Sequence, residues 1–302
     1  MSGILNPKMA VSELNNLTTD LIPNRALGQN FLVSQRAISF IVESLQLCPD
    51  DLVLEIGPGT GNLTLPLVQK ADFLVAVEID RRFQPILQRK LANFLGPKVR
   101  LIWDDILNID LLNIVLELGG QDKAIKIAAN LPYYATTNII LKLLTELPSA
   151  KMLVLMVQRE AVTRITADSG TKEYGPLAVM VSLYGNVKTI MKLPASAFEP
   201  QPPVESTLLK LTAAKASLLK DPISAQSFVS FLLYAFRGRR KQFLGRLRRE
   251  GYVVKDSHQE NELISYLEQS EIRRDFRVEE LSPNQLFGLH NYLRQISCFP
   301  SD

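Results

Sequence analysis

Short apolar runs alternate with helix-like segments between residues 36 and 158, and this alternation restricts the chain to few folds. In residues 36–47 apolar side chains recur at helical spacing, whereas LVLEIG (52–57) is a short apolar run that ends in glycine. Strands that alternate with helices predict a mainly parallel sheet with helices on both faces. The strands predicted in this part of the chain are residues 52–57, 73–80, 99–105, 124–131 and 151–158.

Two further apolar runs, followed by a change from strand patterns to helical patterns, indicate the domain organisation. VKTIMKLP (187–194) and STLLKLTAA (206–214) extend the sheet to about seven strands, whereas the segments after residue 214 have only helical patterns. The expected fold is an α/β Rossmann-like sheet followed by a smaller, all-helical C-terminal domain. We place the domains at residues 25–214 and 215–302, with a boundary near 212–220, and interpret residues 1–24 as a flexible leader.

The composition is that of an ordinary folded protein and excludes several classes. Of the 302 residues, 46% are hydrophobic and 22% charged, which suits two globular domains with a substantial core. Cys48 and Cys298 lie far apart in sequence, and the two histidines lie outside every motif, so we expect neither a disulfide framework nor a metal site. A reducing, cytoplasmic location is expected, and no pattern demands more than a monomer.

No association with a membrane is expected from the sequence. No apolar stretch is long enough to span a bilayer. The N-terminal segment lacks the basic region and hydrophobic core of a signal peptide. Its acidic residues, Glu13 and Asp20, also argue against an organelle transit peptide.

A glycine-rich loop, EIGPGTGNLT (55–64), follows the first predicted strand. Gly57, Gly59 and Gly61 allow the backbone to turn sharply and a ligand to approach closely. The dinucleotide fingerprint has a glycine where Asn62 stands, and the lysine and Ser/Thr pair of a phosphate-binding loop are missing, so neither nicotinamide nor nucleoside triphosphates are favoured. The pattern resembles the first motif of Rossmann-like methyltransferases that use S-adenosylmethionine. A tight turn without a ligand is the alternative.

Carboxylates stand at the ends of the next two predicted strands. Glu78 lies about 20 residues beyond the glycine loop, where an acid accepts hydrogen bonds from both hydroxyls of a ribose. A surface acid at a strand end is the alternative for Glu78. In WDDIL, an acid is placed to accept a hydrogen bond from the amino group of an adenine. Strand alternation turns only one of Asp104 and Asp105 toward the site, and spacing does not choose between them.

The segment NLPYYATT (130–137) leaves the fourth predicted strand with residues suited to hold an amino-bearing ring. An aromatic amine is a poor nucleophile because its lone pair is delocalised into the ring. The side-chain carbonyl of Asn130 and the backbone carbonyl of Leu131, accepting its hydrogens, favour a pyramidal nitrogen with a free lone pair. Pro132 restricts the backbone, and Tyr133 is predicted to stack on the base. Alternatively, Asn130 caps a helix and the tyrosines pack in a core.

Together with LGQNFL (27–32) and AFEPQPPVEST (197–207), the segment NLPYYATT resembles the KsgA family of ribosomal RNA adenine dimethyltransferases. The likeness covers nearly the whole chain from about Leu27 onward. It implies a class I methyltransferase domain, S-adenosylmethionine as cofactor without a metal, and dimethylation of two adjacent adenosines in a hairpin loop near the 3′ end of 16S rRNA. A precursor of the small ribosomal subunit is the implied partner.

The resemblance also assigns roles to single residues. Asp105 matches the adenine-binding acid, and Tyr133 and Phe198 match aromatic residues that hold the flipped target base. One departure is that Arg25 is the only basic residue just before the GQ pair, where the family often has several. The expected cofactor residues are Asn30, Leu32, Gly57, Gly59, Glu78, Asp105 and Asn130, and the expected catalytic residues are Asn130, Leu131, Pro132, Tyr133 and Phe198.

The segment RGRRKQFLGRLRR (237–249) contains seven basic residues and no acidic one. Helical spacing turns Phe236, Phe243, Leu244 and Leu247 toward a core and much of the basic set outward, where it can contact phosphates. A merely solvated face is the alternative, although such faces usually mix both signs of charge. The residues predicted to bind RNA are Arg237, Arg239, Arg240, Lys241, Arg246, Arg248 and Arg249.

Three rival functions fit parts of the pattern. A large-subunit rRNA adenine methyltransferase of the macrolide-resistance type shares the glycine loop and a similar Asn-x-Pro-aromatic motif. A relative that acts as a transcription factor would bind nucleic acid without catalysis, but the chain lacks a transit-like leader. DNA adenine methyltransferases typically have Asp/Asn-Pro-Pro-aromatic, and Leu131 stands in place of the first proline.

Overall fold

The structure is a computed structural model that describes residues 23–24, 27–215, 217–219 and 221–297. The predicted leader up to residue 22, Arg25 and Cys298 lie outside the described residues. The chain forms two compact units that interleave along the sequence, so the predicted boundary near residues 212–220 is only the last of several crossings, and the predicted domains stay a prediction. The first unit comprises Met1–Ile139, Ala150–Arg159 and Lys188–Leu211, and the second Ile140–Ser149, Glu160–Val187 and Thr212–Asp302.

Nine strands occur among the described residues. They are β1 (Phe31–Leu32), β2 (Leu52–Ile56), β3 (Phe73–Val77), β4 (Val99–Ile102), β5 (Ile125–Asn130), β6 (Met152–Gln158), β7 (Gly185–Leu193), β8 (Phe198–Glu199) and β9 (Ser206–Ala213). Seven of them form one sheet with the order β4-β3-β2-β5-β6-β9-β7. The pairs β2–β3, β3–β4, β2–β5 and β5–β6 are parallel. The prediction of about seven strands, mainly parallel, is therefore confirmed.

The continuous apolar runs form strands because both faces of this sheet are covered. Every residue of β2 is buried, as are all residues of β5 except the last. The strand order reverses between β2 and β5, since the chain first proceeds outward through β3 and β4 and then returns to the other side of β2. In such sheets ligands bind outside the carboxyl ends of the strands at this reversal. Gly57 and Asn130 stand at those two ends.

Four helices occur among the described residues of the first unit. Ser34 caps the first of them by accepting a hydrogen bond from the backbone N–H of Ala37. Apolar side chains of the first three pack on the sheet in one buried cluster that includes Ile38, Leu67 and Leu87. The helices are α1 (Gln35–Ser44), α2 (Thr64–Val68), α3 (Gln84–Lys90) and α4 (Leu111–Glu117).

A second, two-stranded sheet in the first unit was not predicted. β1 pairs antiparallel with β8, with Leu32 opposite Phe198. Each strand has only two residues, which is too short for any hydrophobic periodicity. This pairing fastens the LGQNFL segment to the AFEPQPP segment.

The second unit is helical within the described residues, apart from the ends of β7 and β9. Asp221 caps the helix Pro222–Phe236 through the N–H of Ser224, and Pro222 takes the first helical position. Buried His290 contacts the hydroxyl of Ser227, and burial lowers the pKa of His290 to about 4, so it is a neutral packing residue. The remaining α-helices in the part of the chain that the structure describes are α5 (Thr136–Glu146), α6 (Arg159–Ile165), α7 (Pro176–Tyr184), α8 (Pro222–Phe236), α9 (Phe243–Arg249), α10 (His258–Gln269) and α11 (Pro283–Gln295).

The helices were compared with the length and apolar character of a membrane span. Across the described parts of the chain, no helix combines the length and apolar character needed to cross a bilayer.

Candidate active site

The glycine loop joins β2 to α2 through left-handed backbone. Gly57, Gly59 and Gly61 have φ angles of 71°, 53° and 76°, a region that other residues rarely adopt. A Cβ atom on Gly59 would lie 3.0 Å from the ring of Phe31. Larger residues are therefore excluded at position 59 by both the backbone angle and the covering N-terminal segment.

Glu78 follows β3 and is held by two backbone groups. Its Oε2 accepts a hydrogen bond from the N–H of Gly59 at 3.0 Å, and its Oε1 accepts one from the N–H of Asp80 at 2.9 Å. Burial raises the pKa of Glu78 above its ordinary value, and these two N–H groups oppose the rise. Each oxygen keeps acceptor capacity, so the carboxylate is positioned to receive two hydroxyl donors beside the glycine loop.

We expect Glu78→Gln to destabilise the fold and to weaken cofactor binding together. Because both oxygens accept from backbone N–H groups, a side-chain amide must set its own NH₂ group against one of these donors. Loss of one such bond costs about 1–3 kcal/mol in the free energy of unfolding, measurable by urea denaturation. Glu117→Gln, at an exposed ion pair with Arg100, is the matched control. Equal stability of both variants would remove Glu78 from this position.

Asn130 ends β5 with a fixed side-chain orientation. Its Nδ2 donates to the backbone carbonyl of Asn30 at 2.8 Å, so Oδ1 is the atom left for an external donor. The next turn is also fixed, because the carbonyl of Pro132 accepts from the N–H of Ala135 and from the hydroxyl of Thr136. The predicted acceptance of an amine hydrogen by Asn130 Oδ1 stays a prediction.

The predicted aromatic residues occupy different environments. Tyr133 is half-buried, with its hydroxyl 3.3 Å from that of Ser206, whereas Tyr134 is 64% exposed. Phe198 is only 3% exposed and packs in the core cluster of the first unit. Its predicted contact with a target base stays a prediction, and in this structure its ring fills the core.

Two small cavities meet at the carboxyl ends of β2 and β5. They have volumes of about 90 Å³ and about 30 Å³ and share Phe31, Gly57 and Asn130 as lining residues. Most of the predicted site residues are therefore brought together. The larger cavity is also lined by Asn30, Gly59, Glu78, Leu131, Pro132 and Tyr133, and the smaller by Leu32 and Glu55.

Neither of the two aspartates after β4 is among the described residues that line these cavities. Asp104 is exposed, and its Oδ1 accepts from the N–H of Asp105. Asp105 is half-buried, and its Oδ1 accepts from the N–H of Leu107 at 2.9 Å. β4 lies beside β3, which places Asp105 one strand outward from Glu78. Its contact with an adenine remains a prediction.

Glu55 lines the smaller cavity, although no role is predicted for it from the sequence. Its side chain is 1% exposed and lines the smaller cavity, and its Oε2 has no hydrogen-bond partner among the described residues. Burial raises the pKa of Glu55 to about 8. The available signal was an acid inside the apolar run LVLEIG, where burial of a carboxylate is costly. A buried carboxyl that faces a cavity in this way suits a cationic group of a ligand.

Among the described residues, no group of three or more His, Cys, Asp or Glu side chains is placed to hold a metal ion. Glu55 and Glu78 instead offer acceptors to ammonium and hydroxyl donors.

The basic segment in the second unit is only partly available for RNA. Arg246 is 6% exposed, and its guanidinium donates to the carbonyls of Tyr234 and Ala235. The predicted contact of Arg246 with RNA stays a prediction, and in this structure its guanidinium is bound to carbonyls at the end of α8. Arg239 pairs with Glu279 and Arg248 with Glu260. The exposed members without such an ion pair among the described residues are Arg237, Arg240, Lys241 and Arg249.

Comparisons with known proteins agree with this architecture. The family model for ribosomal RNA adenine dimethylase matches residues 23–295. A ribosomal RNA small subunit methyltransferase A from Alkaliphilus oremlandii is 40% identical over 228 residues, which cover 74% of this chain and 77% of that protein. One from Leuconostoc mesenteroides is 33% identical over 96% of both chains. A dimethyladenosine transferase structure from Plasmodium falciparum, 23% identical, matches with a TM-score of 0.69 over 88% of this chain and 98% of that one, which confirms the predicted methyltransferase fold.

Proposed function

The chain belongs to the ribosomal RNA adenine dimethylase family, and from this premise we propose that it dimethylates two adjacent adenosines in a hairpin loop near the 3′ end of 16S rRNA. The acceptor atom is the N6 amino nitrogen, and the substrate is a precursor of the small ribosomal subunit. The observation that carries the proposal is the orientation of Asn130, which turns Oδ1 toward an external donor where the two cavities meet. We expect the enzyme to act as a cytoplasmic monomer.

The residues around the two cavities fit S-adenosylmethionine. Glu78, held by two N–H groups, is placed to receive the ribose hydroxyls, and Gly59 leaves space for close approach. The unpartnered Oε2 of Glu55 fits the ammonium group of the methionine part. Asn30, Leu32 and Gly57 complete the binding surface, and Asp105 is assigned to the adenine. When bound, the cofactor supplies an electrophilic methyl group on a sulfonium.

The NLPYYATT segment orients the target adenine. Asn130 Oδ1 and the carbonyl of Leu131 accept the hydrogens of the amine, which frees its lone pair. Pro132 restricts the turn, and Tyr133 stacks on the base, worth roughly 1–3 kcal/mol per stacked base. No strong acid or base is needed, because alignment of the reacting atoms is the main requirement of methyl transfer. An adenine within a duplex hides this amine, so the base must be unpaired or flipped out.

Mapping of modified bases tests the substrate. Ribosomes from a strain that lacks the gene should have two unmodified adjacent adenosines in the small-subunit hairpin loop, and primer extension should pass that position without a stop. Expression of the wild-type chain should restore the stop. If the lost modification lay on the large subunit instead, the macrolide-resistance type of activity would replace this proposal.

Charge reversal in the basic segment is expected to weaken RNA binding. Arg240, Lys241 and Arg249 are exposed, and their replacement by glutamate removes phosphate contacts without breaking an ion pair described in the structure. The slope of log affinity against log salt should fall by roughly 2, at about 0.7 per phosphate contact. Arg273→Glu, at a charge paired with Asp275, is the control. An unchanged salt slope in the triple variant would remove this segment from the RNA-binding surface.

A further inference from the structure

The LGQNFL segment carries two of the assigned cofactor residues, Asn30 and Leu32, but little regular structure. Its regular pairing is limited to β1, which is two residues long. Hydrogen bonds to side chains in other parts of the first unit hold this segment in place. Asn130 holds the carbonyl of Asn30, and Gln29 donates to Asp80 at 2.7 Å.

Asn62 holds this segment at a third point. Its Nδ2 donates to the backbone carbonyl of Leu32 at 3.0 Å. Asn62 is also the residue that stands in place of the glycine of the dinucleotide fingerprint. A glycine at this position has no side chain to make the bond, so the departure from the fingerprint has a structural consequence.

Lys90 determines which way the Asn62 amide faces. Its Nζ, at the end of α3, donates to Oδ1 of Asn62 at 3.0 Å and to the backbone carbonyl of Thr60 at 3.1 Å. An ammonium group can only donate, so it must meet the amide oxygen, and the NH₂ group then points to the carbonyl of Leu32. One lysine thus fixes both the glycine loop and the amide that holds the N-terminal segment.

The residues joined in this way surround one cavity. Leu32, Thr60 and Asn62 all line the smaller cavity, together with Glu55. Building on the proposed function, we infer that Asn62 and Lys90 are positioning residues for the cofactor. They set the separation of Leu32 from the glycine loop and thereby the width of the cavity that receives the methionine part. They act through the Leu32 and Thr60 carbonyls and need not touch the reacting atoms.

Two substitutions test this inference with S-adenosylhomocysteine as the calorimetric probe. Asn62→Asp keeps an acceptor for Lys90 but sets an oxygen against the carbonyl of Leu32, and Lys90→Met keeps the chain length but removes the donor. Each should weaken binding about tenfold, the scale of one lost internal hydrogen bond. The double variant should lose less affinity than the product of the two single losses, because Lys90 acts in part through the Asn62 amide.

Kinetics separate positioning from a merely structural role. In both variants the KM for S-adenosylmethionine should rise about tenfold, while kcat at saturating cofactor and affinity for RNA stay close to wild type. Lys98→Met, at an exposed ion pair with Asp72 in the same unit, is the matched control and should leave KM unchanged.

The outcomes distinguish this inference from the proposed function. Wild-type affinity for S-adenosylhomocysteine in Asn62→Asp, or a fall in thermal stability without any change in KM, would overturn the positioning role and leave the proposed function intact. A wild-type protein that bound no S-adenosylhomocysteine at all would overturn both.

Discussion

Asn130→Ala is expected to reduce the rate of methyl transfer by about 10²–10³-fold, the scale seen when one oriented hydrogen-bonding group is removed from a reaction centre. The variant loses the oxygen that we propose accepts from the adenine amine, and it also loses the bond from Nδ2 to the carbonyl of Asn30. Cofactor affinity should therefore fall as well, but by much less than the rate. A single-turnover measurement at saturating cofactor isolates the chemical step.

The exposed Asn113 in α4 provides the matched control for this variant. Asn113→Ala removes the same chemical group at a position that lines neither cavity and should leave the single-turnover rate unchanged. Asn130→Ala should unfold at nearly the wild-type temperature. A rate within a few-fold of wild type in Asn130→Ala would show that another group prepares the amine.

Glu55→Gln is expected to stabilise the protein near neutral pH. Burial is the main cause that raises the pKa of Glu55 to about 8, from an ordinary value of 4.5. Between these values the folded protein retains a proton that the unfolded chain has lost, so the free energy of unfolding falls as pH rises. Glutamine has no such proton, and the variant should gain about 3 kcal/mol relative to wild type at pH 7.

Urea denaturation across pH 5–8 measures this gain. The difference in the free energy of unfolding between Glu55→Gln and wild type should grow with pH and level off above about pH 8. Glu43→Gln, at an exposed position of α1, should show no comparable growth. Parallel pH profiles of wild type and Glu55→Gln would mean that Glu55 ionises at its ordinary pKa in the folded state.

The same substitution is expected to weaken cofactor binding. The proposed ammonium contact favours ionised Glu55, so binding near pH 7 should release a proton, detectable by calorimetry in buffers of different ionisation enthalpy. Glu55→Gln should bind S-adenosylhomocysteine about 10–100-fold more weakly, the scale of one charge-assisted hydrogen bond, without proton release. Wild-type affinity in this variant would place the ammonium group elsewhere.

The parts of the fold that could be predicted are those that depend on the pattern of apolar residues within a short segment. β2 and β5 are continuous apolar runs, and burial on both faces of a parallel sheet requires this pattern. The positions of Gly57 and Glu78 followed from the same strands, because carboxyl ends of parallel strands meet at one edge. The placement of Asn130 beside them followed for the same reason.

The parts that could not be predicted depend on contacts between distant residues. The pairing of Leu32 with Phe198 spans two segments that are far apart in sequence and too short for a pattern. Arg246 belongs to a basic segment that was predicted to face outward. Its guanidinium instead donates to the carbonyls of Tyr234 and Ala235, and this contact forms only when α8 packs against α9. The hydrogen-bond partners of Asn62 likewise could not be predicted from the sequence, because Leu32 and Lys90 lie about 30 residues before and after it.

The most direct test is transfer of labelled methyl groups from S-adenosylmethionine to immature small ribosomal subunits, followed by nucleoside analysis and mapping. The arrangement around Asn130 predicts that the label appears as N6,N6-dimethyladenosine at two adjacent positions of one hairpin loop of 16S rRNA. Label on any other nucleoside, or none with a protein that binds the cofactor, would contradict the assignment of this site to adenine dimethylation.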